Sequence, residues 1–320
     1  MSDSRSDELE VWIDTDTAIG VPGADVDDGL ALVQAFHSPE LRIRGVSSIF
    51  GNAPIAETQA MATDVVKRFG PPNLEVERGA ASAEERGLPC PAVAGMAQAL
   101  AERPLHLVAL GPVTNIASLL ELHPELASRI LSIVMVAARR PGQSFISQPR
   151  QPGPFPDLNF DCDPEAMQRV LDSPAPLIFA PWEVSSHVWL NGEDLDHLEE
   201  AGESGAYIAG HARSWLALWR EEMGAPGFNP FDTLAIAALS HPDWLAHFRC
   251  GVWIEDGPND TAPPEEQAAD ARKPHLLVDA ERLDSAREAI YCYRPDPRFK
   301  PMLLERLGAG TTDMGSDHGR

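Results

Sequence analysis

The sequence predicts an α/β fold: an open, mostly parallel sheet with helices on both faces. Two observations carry that prediction. Short apolar runs alternate with amphipathic stretches, the pattern left when strands cross over through helices into one sheet. Each run is followed by loop residues and then a helical pattern, and in such sheets ligands lie outside the carboxyl ends of the strands.

Taken in order, the strands are EVWID ending at Asp14, LRIRGVSSIF ending at Phe50, LHLVALG ending at Gly111, SIVMVAA ending at Ala138 and PLIFAPW ending at Trp182. Arg139 to Pro156 is rich in Pro, Gly and Gln without a period and reads as a long loop, a length that inside a compact domain is usually functional or mobile. Asp194 to Met223 reads as helix and puts Trp215 and Trp219 on one face, where packing is favoured over a platform for stacking a base. Asp256 to Lys273 is acidic and contains Pro, which predicts an exposed turn. Residues 1–9 and 308–320 are expected to be flexible, and with no internal linker residues 10–307 read as a single domain.

The chain of 320 residues carries 25 basic and 49 acidic side chains, a net charge of −24, which argues against nucleic acid or an anionic membrane as partner. A small soluble substrate fits better. The N-terminus MSDSRSDELE lacks the apolar core of a signal peptide and no apolar run is long enough to cross a bilayer, so a cytoplasmic location is expected. Cys90, Cys162, Cys250 and Cys292 show no C-x-x-C pairing and read as buried, reduced thiols.

The chemistry begins at the first strand end. DTDTAIGVPGADVDDGLAL places Asp14, Asp16, Asp25, Asp27 and Asp28 in a short loop before a helix. A solvated acidic loop explains any one of them. Together, such close like charges raise one another's pKa values unless a cation neutralises them, and a hard cation with oxygen ligands, Ca²⁺ or Mg²⁺, is the physical solution. Phe50-Gly51-Asn52 ends the second strand, and in ALGPVTN, Gly111 and Pro112 turn the third into a helix. In DLNFDCDPEA, Asp163 can cap a helix begun by Pro164, while Asp232 in NPFDTLAIA reads as a helix-start carboxylate.

In this order, D-x-D, D-D, GN, ALGPxTN, NFxxDPEA and the helix-start Asp, the sequence resembles the inosine-uridine-preferring nucleoside hydrolase family over roughly residues 10 to 306. The resemblance implies a nucleoside hydrolase-like fold and one Ca²⁺ at the carboxyl ends of the strands, held by Asp16, Asp28, the backbone carbonyl of Thr114, and Asp232. It implies that Asp27 and Asn159 hydrogen-bond the ribose hydroxyls with Asn52 beside them, that Asp157 faces the 5′ end, and that Asp14 stands behind the ligands. Asp16 would be the general base for a water between itself and calcium, acting on a sugar that gains positive charge as the C1′–N bond breaks. The partner expected is a nucleoside, and the protein is expected to be a homo-oligomer, dimer or tetramer.

Three features depart from the family pattern. Ten residues rather than three separate Asp16 from Asp27; Asp157 replaces a Glu and Gln151 an Asn six residues before it; and Phe231 stands where many purine-cleaving members carry a His that protonates the base. None of the ten histidines is an obvious substitute; His187, nearest to a strand end, reads as a structural hydrogen-bonder. Two other readings compete. Asp14-Thr15-Asp16-Thr17 also fits the D-x-D-x-T signature of haloacid-dehalogenase-type phosphatases, with Asp14 as nucleophile and Mg²⁺, but that leaves Asp27, Asp28, ALGPVTN and Asp232 without a role. A non-catalytic nucleoside or sugar binder of the same fold is the other.

Overall fold

The computed structural model describes residues 8–148, 150–261 and 271–309. The strands are β1 (Leu9–Thr15), β2 (Leu41–Ser48), β3 (Val76–Arg78), β4 (Leu105–Ala109), β5 (Ile130–Met135), β6 (Leu177–Phe179), β7 (Leu245–Pro258), β8 (Arg272–Asp279) and β9 (Arg287–Pro295). The helices of the first half are α1 (Asp27–Phe36), α2 (Ile55–Phe69), α3 (Pro91–Glu102), α4 (Thr114–Leu122), α5 (Leu158–Cys162) and α6 (Pro164–Leu171). The second half adds α7 (Trp182–Ser185), α8 (Gly192–Ala201), α9 (Glu203–Met223), α10 (Thr233–Ser240) and α11 (Phe299–Gly308).

All nine strands form one sheet in the order β3-β2-β1-β4-β5-β6-β9-β7-β8. Pairing is parallel from β3 through β9, and β7 runs antiparallel to both its neighbours. Alternation along β1 sorts side chains to two faces: Val11 and Ile13 join a core with α1, α2 and α8 to α11, while Trp12 joins a second core with α3, α4 and α6. The expected sheet with helices on both faces is therefore present.

The five expected strands are all present, ending up to three residues earlier or one later than read. The reading missed β3, β7, β8 and β9. The expected turn at Asp256 to Lys273 needs correction, since Asp256–Pro258 belong to β7 and Arg272 and Lys273 to β8; residues 262–270 lie outside the described residues. The expected helix from Asp194 to Met223 is two, broken at Gly202. Leu9 opens β1 and Gly308 closes α11, while 1–7 and 310–320 lie outside the described residues. All four cysteines are free; Cys250 and Cys292 are buried, but Cys90 and Cys162 only half-buried. No helix among the described residues is long and apolar enough to cross a membrane.

Candidate active site

β1, β2, β4 and β5 end side by side, so their following loops converge on one point of the sheet edge. Carboxylate oxygens of Asp27, Asp28 and Asp232 lie there within 4.8 Å of one another, all three residues buried. Asp27 and Asp28 open α1, whereas Asp232 occupies the cap position of α10 without any side-chain capping bond. Its carboxylate serves the cluster rather than the helix start. Asp16 is fully buried beside them: its Oδ2 accepts the Asn52 N–H at 2.7 Å, and its Oδ1 has no hydrogen-bond partner. Burial first, and then the neighbouring carboxylates, push Asp16, Asp27 and Asp232 well above the usual carboxylate range. Asp28 is also raised by burial, against hydrogen bonds that favour its charged form, including 2.5 Å from Thr15 Oγ1 and 3.1 Å from Asn52 Nδ2.

Two glycines explain why the motifs at the strand ends have the form they do. A Cβ on Gly51 would stand 2.0 Å from Asp16 Oδ2, and one on Gly111 would stand 2.8 Å from Asp16 Cγ. Asp16 is clamped between two backbones that approach only because neither carries a side chain. Gly51→Ala is therefore expected to displace the Asp16 carboxylate and to cut kcat roughly a hundredfold, the usual effect of a misplacement near 1 Å. Assay of the variant beside its circular dichroism spectrum checks this; unchanged turnover in the folded variant would contradict the clamp.

Asp14 sits beneath, paired in register with Ser47 on β2 and Ala109 on β4. Its Oδ1 accepts Ser47 Oγ at 2.5 Å and Asn115 Nδ2 at 2.9 Å, and burial raises its pKa to about 7. Like Asp16 and Asp28, it is fully buried and is not among the cavity-lining residues. Thr114 also lies outside the cavity lining: its Oγ1 donates to Asp163 Oδ2, and its carbonyl accepts Ser118 Oγ at 2.8 Å. Asp163 caps α6 as read, accepting from the Ala166 N–H.

Asn52, Asp157 and Asn159 line the same cavity as Asp27 and Asp232. Asn159 spends both amide hydrogens on the carbonyls of Leu110 and Val136, so it offers Oδ1 as an acceptor. Asp157 Oδ2 takes the N–H of Ala138 at 2.9 Å, steadying a non-glycine residue at φ +78°. Burial lifts the Asp157 pKa from 3.8 to about 7. The folded form thus holds this proton more tightly than the unfolded chain, so the group's stabilisation is complete below pH 3.8 and is lost as pH rises through about 7. Asp157→Asn, which keeps the Ala138 bond, is expected to raise the melting temperature relative to the parent increasingly between pH 5 and 8. Thermal melts of both metal-free proteins across that range check it; a constant difference would refute the burial argument.

Above the carboxylates the cavity holds about 400 Å³ and is walled by Phe145, Phe155, Trp182, Trp215, Trp219 and Phe231. Trp219 is central, its ring 5.6 Å from Phe155, 6.3 Å from Trp215 and 6.1 Å from Phe231. The choice between packing and cavity wall was thus too narrow for Trp215 and Trp219, which do both. Phe145 and Phe155 come from the long loop, which Gln151 ties together by donating to the carbonyls of Phe145 and Gly153. Gln151 therefore braces the wall and is not itself among the lining residues. Gly23, Ala24 and Asp25 bring the extended first loop to the rim. His187 is exposed and outside the lining.

The profile of the inosine-uridine preferring nucleoside hydrolases matches residues 11–287. The chain belongs to that family. A pyrimidine-specific ribonucleoside hydrolase of Photobacterium profundum is 28% identical over 258 residues, covering 72% of this chain and 81% of that protein. A probable uridine nucleosidase of Oryza sativa is 26% identical over 269 residues, covering 75% and 79%. Among solved structures, a plant nucleoside hydrolase superposes with a TM-score of 0.76 at 20% identity, covering 94% of this chain and 99% of that one. A purine-preferring ribonucleoside hydrolase from Gardnerella vaginalis gives 0.72 at 20% identity, covering 93% and 98%. These structures share the fold of the nucleoside hydrolases, and the resemblance read from the motifs is borne out.

The family's implied cation fits the residues present. The donors are all carboxylate oxygens, the hard ligand set that Ca²⁺ and Mg²⁺ take, and Asp16 Oδ1 is a buried acceptor left without a donor. Asp27, Asp28 and Asp232 are positioned to chelate a metal. Sequence reasoning missed Thr15, Ser47 and Asn115, which orient the carboxylates, and the aromatic wall apart from Phe231 and the two helix tryptophans it weighed. The Asn of ALGPVTN could have been found as a partner to a buried strand-end Asp; the wall, drawn from four separate segments, left no local signal.

Proposed function

We propose that this protein hydrolyses the N-glycosidic bond of ribonucleosides, releasing ribose and free base. The observation that carries the reading is the buried carboxylate cluster forming the floor of an aromatic cavity of nucleoside size. Asp16, Asp28, the backbone carbonyl of Thr114 and Asp232 would hold a Ca²⁺, with Asp27 close enough to share in it. When bound, the cation neutralises the cluster and supplies a positive centre that orients water and the ribose hydroxyls. Asp16, anchored through Oδ2, keeps Oδ1 to accept the proton of the attacking water. Asp27 and the Oδ1 of Asn159 accept from the ribose 2′- and 3′-hydroxyls, with Asn52 beside them, and Asp157 lies towards the 5′ end. As the C1′–N bond lengthens, positive charge grows on the sugar and the grouped carboxylates stabilise it.

The same reading takes residues 10–307 as one catalytic domain, acting in the cytoplasm as a dimer or tetramer. The deciding experiment is a panel of ribonucleosides incubated with the calcium-loaded protein and analysed for free base by chromatography. Base release from at least one ribonucleoside is expected. Ribose binding without turnover across the panel would favour a non-catalytic binder, and phosphate release from a phosphomonoester through a trapped aspartyl-phosphate would overturn the reading altogether.

A further inference from the structure

The lining of the cavity is unusual in what its polar groups can do. They are the carboxylates of Asp25, Asp27, Asp157 and Asp232, the amides of Asn52 and Asn159 and the indole N–H groups of Trp182, Trp215 and Trp219; among the described residues no Lys, Arg or His lines the cavity. Arg139 places its guanidinium 5.3 Å from the centroid of the Phe145 ring. It is committed to Asp260 and His275 and is not a lining residue. The indole N–H groups of Trp215 and Trp219 are buried without acceptors, so neither is anchored by a bond within the wall. A neutral base that leaves as an anion would find no cationic side chain in this lining to offset its charge, only neutral donors such as the indole N–H groups.

We infer that the cavity is built for ribosides of permanently cationic N-heterocycles, bases already quaternised at the nitrogen that joins the ribose. This rests on the proposed hydrolysis and names its substrate class. Ring faces carry negative electrostatic potential, and an aromatic cage is the usual way proteins hold a quaternary nitrogen cation. The reaction also balances without a proton donor. The water oxygen bonds to C1′ while the C1′–N bond breaks, and the bonding pair passes to the ring nitrogen and cancels its charge. Asp16 takes one water proton, the other stays on the new hydroxyl, and the base leaves neutral. Phe231, which cannot donate a proton, is then no handicap.

The test uses the calcium-loaded full-length protein and two readouts. For binding, 1-methylnicotinamide is compared with uncharged nicotinamide by tryptophan fluorescence or calorimetry. Cation–π contacts in a desolvated cage predict about five- to thirtyfold tighter binding of the cation. For turnover, nicotinamide riboside is expected to exceed uridine and inosine in kcat/KM by roughly a hundredfold or more, since general-acid help absent here is typically worth that much to a poor leaving group. Trp215→Leu and Phe231→Leu, each checked by circular dichroism, should narrow the binding preference towards unity. They should lower kcat/KM for nicotinamide riboside more than for 4-nitrophenyl riboside, which is activated but uncharged.

Equal binding of the two nicotinamides, or uridine cleaved as efficiently as nicotinamide riboside, would overturn the inference while leaving ribonucleoside hydrolysis standing. Preferential binding of the cation with no riboside cleaved would sink the hydrolysis and keep the cage.

Discussion

Stripping divalent cations from the protein is expected to reduce base release by roughly a thousandfold or more, because a bound cation supplies several kcal/mol of charge stabilisation and each 1.4 kcal/mol is tenfold in rate. Asp28→Asn should reproduce most of that loss at ordinary calcium concentrations while leaving the protein folded, since the amide keeps the size of the carboxylate but removes its charge. The effect on stability has a definite sign. Burial raises the pKa values of Asp16, Asp27, Asp28 and Asp232, with repulsion from neighbouring carboxylates adding to it for Asp16, Asp27 and Asp232, so in the metal-free protein their stabilising contribution is lost as pH rises through those raised values. Cation binding requires the same groups ionised, so calcium affinity increases with pH. The rise in melting temperature on adding calcium should therefore grow from pH 5 to 8. Melts with and without calcium, beside activity in verified metal-free samples, check both parts. Full activity without metal, or a calcium shift that shrinks with pH, would refute the assigned role of the cluster.

The second large effect concerns the sugar. A ribonucleoside should be preferred over its 2′-deoxy analogue by about 10⁴-fold in kcat/KM, the discrimination reached when a site built to bond a hydroxyl meets a substrate without it. The cause is the acceptors left behind. Asp27 is buried, and Asn159, its amide hydrogens taken by Leu110 and Val136, has only Oδ1 to offer the ribose, so each acceptor loses a donor when its hydroxyl is missing. Paired kinetics on uridine and 2′-deoxyuridine decide the matter. Comparable rates would show that the ribose does not sit on this floor.

How much of this was legible in the sequence depends on how local each feature is. The carboxylates of DTDTAIGVPGADVDDGLAL fall within one strand-to-helix connection, and the parallel strands announce themselves as apolar runs because both faces of the sheet are buried. Asp163 at its cap was equally local. Strands β7 to β9 left no comparable trace: they carry charged residues such as Arg249, Glu255 and Glu288, and exist through antiparallel pairing with distant partners.

By itself, the sequence determined the fold class and the acidic strand ends at which a cation would be held, since both follow from periodicity and from residues close together in the chain. Only the tertiary structure decided that Asp27 joins Asp28 and Asp232 at one point, that Asp16 is gripped between Gly51 and Gly111, and that the Thr114 hydroxyl bonds Asp163 while its carbonyl accepts from Ser118. It alone also assembled Phe145, Phe155, Trp182, Trp215, Trp219 and Phe231 into a wall. Those aromatics come from two ends of a loop, helices α7 and α9 and the turn before α10, whose juxtaposition depends on how the helices pack over the sheet edge, and packing between segments far apart in the chain has no periodic signature along it.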